Sequence, residues 1–333
     1  MPTSAHVLNT TTTTASTATN PTYLNKTYYD RNLLENAKTK LVHAEHGQTR
    51  NIPLNSGKTV EFRRWTLFDP ADVVGGLTEG VTPDGQALKQ TNVEATVAQY
   101  GAYVEVSDML KTTAYDDVME GATDMLGEQV GTAVDWIVRN AMCQTTTVQF
   151  AGGNTARTAI ESTDKLTVTE VRKAVRTLKK NKAKMFSGSG KKPHFICICS
   201  PDATYDLQDD SLWQDVSKYS NAEAVYSGEI GRLFGVVFVE STEAKIYAGG
   251  GAAIGSTSNK YDVHVALVFG KDAYGTISLE GRGNLHTIIK GLGSGGTYDP
   301  LDQRCTVAAK VEGFTAKILN NDWIVAIEHG VTA

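Results

Sequence analysis

The sequence predicts an α+β fold, because helical segments and strand segments both recur along its 333 residues. Two long segments, residues 58–68 and 93–106, are rich in β-branched and aromatic side chains, as strands are. Residues 113–142 place apolar side chains at helical spacing over about 30 residues. From residue 236 to residue 328 the segments are predominantly of the β type.

The N-terminal residues are expected to form a tail followed by a helical arm. Residues 1–22 consist mostly of Thr, Ser, Ala and Asn, a composition that does not fold in isolation. A short amphipathic helix is predicted over residues 28–42, with Leu33, Leu34 and Leu41 among its apolar positions. His43 and His46 follow without a further metal ligand in a recognisable motif, so we interpret them as surface histidines.

The two long β-type segments predict an extended hairpin. About two dozen residues rich in Gly and Pro separate them, and a connection of that length usually has a function. An eleven-residue strand at about 3.3 Å per residue reaches roughly 36 Å, which is longer than one domain covers. A two-stranded ribbon is marginally stable in water, so we expect it to lie on an adjacent copy of the chain.

Two helices are predicted after the hairpin. The first, over residues 113–142, has Thr113 and Asp116 as its N-terminal capping pair and is expected to span a subunit. The second begins at a capping box formed by Thr167 and Glu170. Its outer face is strongly basic, which we interpret as a solvated or subunit-facing surface, with phosphate binding as the alternative. The basic residues are Arg172, Lys173, Arg176, Lys179, Lys180, Lys182 and Lys184.

Composition excludes several classes of protein. The formal net charge is −5, which disfavours a protein that grips nucleic acid over a broad face. No run approaches the roughly 20 apolar residues of a membrane span, and the N-terminus does not resemble a secretion signal. The four cysteines fit free thiols, and Cys197 and Cys199 are predicted to be buried thiols in a strand and not metal ligands.

Short matches to catalytic or ligand-binding motifs occur, but the residues around them do not predict the structure that those motifs need. Residues 291–296 read GLGSGG, which matches a dinucleotide fingerprint, but no helix is predicted to begin at its third glycine. The acidic residues Asp202, Asp206, Asp209 and Asp210 are interpreted as a capped, solvated helix and not as a cation site. The sequence therefore predicts no catalytic residue, no cofactor site and no metal site.

Six segments, in order along the chain, resemble tailed-bacteriophage major capsid proteins. They read GKTVEFRRW (57–65), LTEGVTPDG (77–85), QYGAYVEVSD (99–108), SGEIGRLFGV (227–236), LVFGKDAYG (267–275) and GSGGTYDPLDQRCTV (293–307). The likeness extends over about residues 25–330 and is most specific for the branch related to the coat protein of podovirus N four. It implies the Hong Kong phage-type capsid fold.

The resemblance implies four parts. Residues 1–55 correspond to an N-terminal arm, 56–92 to an extended loop, 93–150 with 291–333 to a peripheral domain built on a long spine helix, and 151–290 to an axial domain. The expected intersubunit anchors are apolar side chains of the arm and the ribbon. They are Leu33, Leu34, Leu41, Phe62, Trp65 and Leu67.

The implied function is a non-enzymatic shell that encloses double-stranded DNA. Copies of the chain would form hexamers and pentamers in a virion assembled in the bacterial cytoplasm, and the packaged DNA would be contacted only non-specifically. A portal is expected, cement proteins are optional, and a separate scaffold or none is implied. Deletion of residues 1–50 is expected to leave soluble subunits without shells. The alternatives are a cellular nanocompartment shell of the encapsulin type and, more remotely, a nucleotide-dependent enzyme.

Overall fold

The computed structural model describes residues 42–77, 79–82, 84–114, 117–188, 191–213, 229–254, 259–280, 285–295 and 299–332. All of them belong to one compact unit, residues 38–333. The predicted arm helix and its anchors Leu33, Leu34 and Leu41 lie outside the described residues.

The chain contains both helices and strands, and strands follow one another in long runs, as in the predicted α+β class. The strands are β1 (Gln48–Ile52), β2 (Thr59–Trp65), β3 (Gln90–Thr96), β4 (Ala98–Ser107), β5 (Val148–Phe150), β6 (Phe186–Gly188), β7 (Lys191–Cys199), β8 (Glu229–Leu233), β9 (Val236–Glu240), β10 (Ile246–Tyr247), β11 (Val263–Phe269), β12 (Tyr274–Leu279), β13 (Leu285–Lys290), β14 (Arg304–Ile318) and β15 (Ile324–His329). The helices are α1 (Ala71–Val74), α2 (Asp108–Thr113), α3 (Val118–Met142), α4 (Val168–Lys180) and α5 (Pro201–Gln208).

One sheet contains eight of the described strands, in the order β5-β15-β11-β7-β9-β8, with β10 beside β11 and β6 beside β7. Its central strand β11 is buried along its whole length, because both faces of the sheet are covered. Helices α4 and α5 place Val171, Leu178 and Leu207 in the core on one of these faces.

A second sheet contains five of the described strands and is built around the fifteen-residue strand β14. Strand β13 pairs with the first part of β14, and β12 pairs with its last part. The pairing between β14 and β4 shifts register between Val311 and Phe314, where Gly313 has a φ of 72°. Glycine suits this position, since left-handed backbone strains other residues and an added Cβ would lie 2.8 Å from Leu279.

Strands β2 and β3 form the predicted ribbon, paired from Thr59 with Thr96 to Trp65 with Gln90. The second β-type segment is divided between two strands, because its first part pairs with β2 and its second part, β4, pairs with β14. The ribbon is therefore seven residues long on each side and not eleven.

Helix α3 packs across the five-stranded sheet, with Leu126, Val130 and Val138 in the same core as Val307 and Val311. The predicted cap was wrong: Thr113 is the last residue of α2, and the side chain of Asp117 accepts hydrogen bonds from the first turn of α3. The predicted N-cap of α4 is confirmed, since the Thr167 hydroxyl accepts from the Glu170 N–H at 3.4 Å. The Glu170 carboxylate accepts from Gln149 and Lys173.

Strand pairing crosses two of the domain boundaries that the resemblance implies. Strand β15, expected in the peripheral domain, lies beside β11 in the eight-stranded sheet. Strands β12 and β13, expected in the axial domain, pair with β14 in the five-stranded sheet. Strand β1, expected in the arm, pairs in parallel with β12 and belongs to that sheet too.

Candidate subunit-contact surface

The first described residues are firmly held against the rest of the subunit. Val42 and His43 are buried against α3. The backbone N–H groups of His43 and Ala44 donate to one oxygen of Asp135, and the His43 ring nitrogen Nδ1 lies 2.7 Å from the other. The Tyr274 hydroxyl donates to the His43 carbonyl at 2.5 Å. The surface position predicted for His43 was therefore wrong.

Two further polar links join separate elements. The Arg139 guanidinium of α3 donates to the Glu243 carbonyl at 2.6 Å, and the Trp136 indole donates to the Glu243 carboxylate. Arg157 holds the buried Glu328 of β15 through two hydrogen bonds of 2.6 and 2.7 Å, while its guanidinium lies 3.6 Å from the centre of the Tyr247 ring. Such bidentate, charge-assisted bonds fix orientation as well as distance.

The base of the ribbon is anchored on its own subunit. Phe62 and Val60 of β2 pack with Ile52 of β1, Ala95 of β3 and Ile277 of β12 in a small core of their own. Phe62 is thus half-buried within its own chain. The sequence could not indicate this, because it does not reveal which face of the ribbon meets the five-stranded sheet.

The far end of the ribbon and the loop that follows it are apolar and exposed. Trp65 is 61% exposed and Leu67 is 84% exposed. Other large apolar side chains on the loop share this exposure: Phe68, Val73, Val74, Leu77, Val81 and Leu88. Exposed apolar side chains concentrated in one segment are typical of a site of protein association.

The other residues that the sequence singled out lie within the fold. Cys197 and Cys199 are buried free thiols in β7, as predicted. Residues 291–295 make a turn after β13, and the next described element is strand β14 and not a helix, so they lack the setting of a dinucleotide site.

The acidic helix differs from the prediction at one position. Asp206 is buried and accepts hydrogen bonds from the backbone and hydroxyl of Thr332, and it pairs with Lys165 at 3.2 Å. Burial acts to raise the pKa of Asp206, but these bonds outweigh it and hold the pKa below its ordinary value. Asp206 therefore ties the C-terminal residues to α5. Within the part of the chain that the structure describes, no group of three or more potential ligand side chains could hold a metal ion.

Solved structures of other proteins match this fold along nearly the whole chain. The chain is similar to the capsid of cyanophage P-SCSP1u, with a TM-score of 0.67 and 17% identity over 95% of this chain and 96% of that one. It is also similar to the capsid of Ralstonia phage GP4, with a TM-score of 0.69 and 14% identity over 97% and 99% of the two chains.

Sequence comparison points the same way over shorter spans. A family model described as phage capsid protein matches residues 137–292. This span covers slightly less than half of the chain. One curated relative of this chain, the major capsid protein of Escherichia phage T5, is 35% identical over 66 residues, which span 20% of this chain and 14% of that protein.

The chain has the α+β Hong Kong phage-type fold that the sequence predicted. Among the helices of the described residues, none has both the length and the apolar character needed to cross a membrane.

Proposed function

We propose that this chain is the major capsid protein of a tailed-phage head, a structural and non-catalytic part of the virion. Its copies assemble as hexamers and pentamers around double-stranded DNA. The observation that carries the proposal is the ribbon, whose base is packed in its own subunit while Trp65, Leu67 and the loop beyond are exposed. Apolar surface left in water is a free-energy cost of about 25 cal/mol per Å², which contact with a neighbouring copy removes.

We further propose that the domains follow the sheets. The peripheral domain comprises the five-stranded sheet with α3, and the axial domain comprises the eight-stranded sheet with α4 and α5. The extended loop keeps its expected place between β1 and β4, and the arm ends before Val42, which is already buried. Of the proposed anchors, Trp65 and Leu67 remain on the exposed surface, while Phe62 supports the ribbon from within.

The finer assignments rest on the sequence resemblance. They are membership of the branch related to podovirus N four, a portal as partner, and optional cement or scaffold proteins. Packaged DNA would be contacted non-specifically, which the net charge of −5 supports because it disfavours a continuous basic inner face.

Electron microscopy of the purified full-length chain tests the proposal. Icosahedral shells with five-fold and six-fold capsomers are expected. A chain that stays monomeric at high concentration, in conditions that favour particle assembly, contradicts the proposal. The contents of particles from the native host then separate two kinds of shell: double-stranded DNA identifies a phage head, whereas a cargo enzyme identifies a nanocompartment of the encapsulin type.

A further inference from the structure

One flank of α4 carries a row of cations beside an exposed aromatic ring. Arg172, Arg176 and Lys179, with Val175 beneath them, line a shallow groove of about 300 Å³ that is closed on one side by Phe234. The Arg172 guanidinium lies 5.0 Å from the centre of the Phe234 ring. We call this groove the cationic groove.

Phe234 holds an unusual conformation. It is the first residue of the tight turn between β8 and β9, with a φ of 49°, and 47% of its surface is exposed. Bulky residues seldom adopt left-handed backbone, where glycine or asparagine is the ordinary choice. An aromatic ring kept exposed at such a position is a sign that it contacts something outside the subunit.

The charge state of the groove's surroundings can be compared with that of the rest of α4 within the described residues. Among the described residues, Arg172, Arg176 and Lys179 make no ion pair, whereas Lys173 on the same helix pairs with Glu170 at 2.7 Å. Arginine with an aromatic neighbour is a common centre of protein interfaces, because guanidinium groups bind carboxylates in two-point fashion and stack on rings.

A complementary row lies on the outer side of α5. The Asp202 side chain is 62% exposed, Tyr205 is 70% exposed, and Asp209 is exposed at the helical C-cap. Asp202 and Asp209 are seven positions apart, as are Arg172 and Lys179. At 1.5 Å per residue, each row extends over about 10.5 Å. The two rows therefore match in length and are opposite in charge.

We propose that the cationic groove of one copy binds the Asp202, Tyr205 and Asp209 row of the next copy around a capsomer. The inference rests on the proposed shell function. A ring of identical subunits needs two different, mutually complementary patches on each copy, and these rows supply such a pair. Asp202 and Asp209 meet the three cations, and the Tyr205 ring meets the exposed Arg172 and Phe234 pair.

Phosphates of nucleic acid would also suit the cations of the groove. The second copy is favoured because the matching acidic row lies on the same chain, and because the formal net charge of −5 does not indicate a broad nucleic-acid surface. Nucleic-acid binding is accordingly an outcome that the test distinguishes.

Charge reversal in the full-length chain tests the proposal. The variant R172E/R176E is expected to yield at least about tenfold fewer regular particles than the unaltered chain, since like charges now oppose each other. Lys180→Glu, an exposed change on the same helix outside the groove, is the control and is expected to keep particle yield. Adding D202K/D209K to R172E/R176E exchanges the charges of the groove and of the acidic row, and is expected to restore the yield of particles.

Three results would overturn the proposal. The first is a normal particle yield from R172E/R176E, and the second is a fall in particle yield no larger than that of Lys180→Glu. The third is a fall in particle yield that the exchanged-charge variant does not reverse, together with a fall in the nucleic acid that the particles retain. If the unaltered chain forms no particles at all, the shell function itself is contradicted.

A second measurement uses only the unaltered chain, so it does not depend on whether the variants fold. Particles of the unaltered chain, assembled from a mixture of 14N-labelled and 15N-labelled copies, are treated with a carbodiimide, which joins adjacent amines and carboxylates. A mixed-isotope cross-link between Lys179 and Asp202 or Asp209 is expected. Its absence, while other intersubunit cross-links form, would contradict the contact.

Discussion

The Asp135 carboxylate of α3 binds His43, 92 positions earlier in the chain, through the ring at 2.7 Å and the backbone N–H at 2.9 Å. Both residues are almost wholly buried. The contact joins the start of the described chain to the long helix, and the Tyr274 hydroxyl closes it from the side of β12. The start of the described chain is thereby fixed to both α3 and β12.

Asp135→Ala is expected to lower the free energy of unfolding by about 3–5 kcal/mol, because two buried donors of His43 and the part-buried N–H of Ala44 lose their acceptor. Denaturant unfolding of the purified chain measures the change. Asp124→Ala removes an exposed carboxylate from the same helix and should change stability by less than about 0.5 kcal/mol. Equal effects of the two variants would show that the His43 contact is not a major source of stability.

Arg157→Ala is expected to lower the free energy of unfolding by about 3 kcal/mol, since Glu328 would remain buried without its partner. Arg157→Lys should recover only part of this loss, because an ammonium group cannot make the bidentate pair or stack on Tyr247 as a guanidinium does. Thermal or denaturant unfolding compares the two variants. Full recovery by lysine would mean that charge alone, and not geometry, sets the contribution.

Acid is expected to destabilise the subunit through His329. Burial lowers the pKa of His329 from 6.5 to about 4, and His264 on the adjacent strand acts in the same direction. Between these two pH values the unfolded chain binds a proton that the folded chain does not, so stability falls as pH falls, by up to about 1.4 kcal/mol per pH unit. The contribution is fully present above pH 6.5.

Unfolding measured between pH 7 and pH 4 tests this dependence. His329→Gln should flatten the slope, whereas His286→Gln, at an exposed position of β13, should leave it unchanged. An unaltered slope in His329→Gln would refute the assignment, whatever the variant does to stability at neutral pH.

Substitutions in the ribbon are expected to affect particle assembly and subunit stability separately. Trp65→Ser and Leu67→Ser are expected to leave the subunit's free energy of unfolding within about 0.5 kcal/mol of the unaltered chain, because both side chains are exposed, yet to reduce particle yield. Phe62→Ala should instead lower stability by about 2 kcal/mol, since the ring packs in its own subunit. Calorimetry and electron microscopy on the same samples give both readouts; unchanged particle yield in Trp65→Ser and Leu67→Ser contradicts their place in the interface.

The structure indicates how many N-terminal residues can be removed before the subunit unfolds. Deletion of residues 1–40 is expected to leave a folded subunit that forms no regular shells. Deletion of residues 1–50, which the sequence alone indicated as harmless to solubility, also removes buried Val42 and His43 and part of β1, and is expected to unfold the subunit. Circular dichroism distinguishes the two truncations, and normal shells from the shorter one would refute the arm's function.

Local patterns determined much of the fold. The β-branched runs around Val60 and Val104 predicted strands, and the Thr167 capping box predicted the start of α4, because these signals depend on neighbouring residues alone. The order of the quoted segments also implied the capsid fold, which the structural comparison confirms.

Tertiary structure decided what distant residues do to one another. The sequence placed His43 at the surface and treated Asp206 as part of a solvated row, whereas both are buried beside partners far along the chain. The resemblance grouped β15 with the peripheral part and β12 with the axial part, whereas β15 pairs with β11 and β12 pairs with β14. Strand partners and buried polar pairs are chosen by packing between elements, and no local spacing encodes which element will be the neighbour.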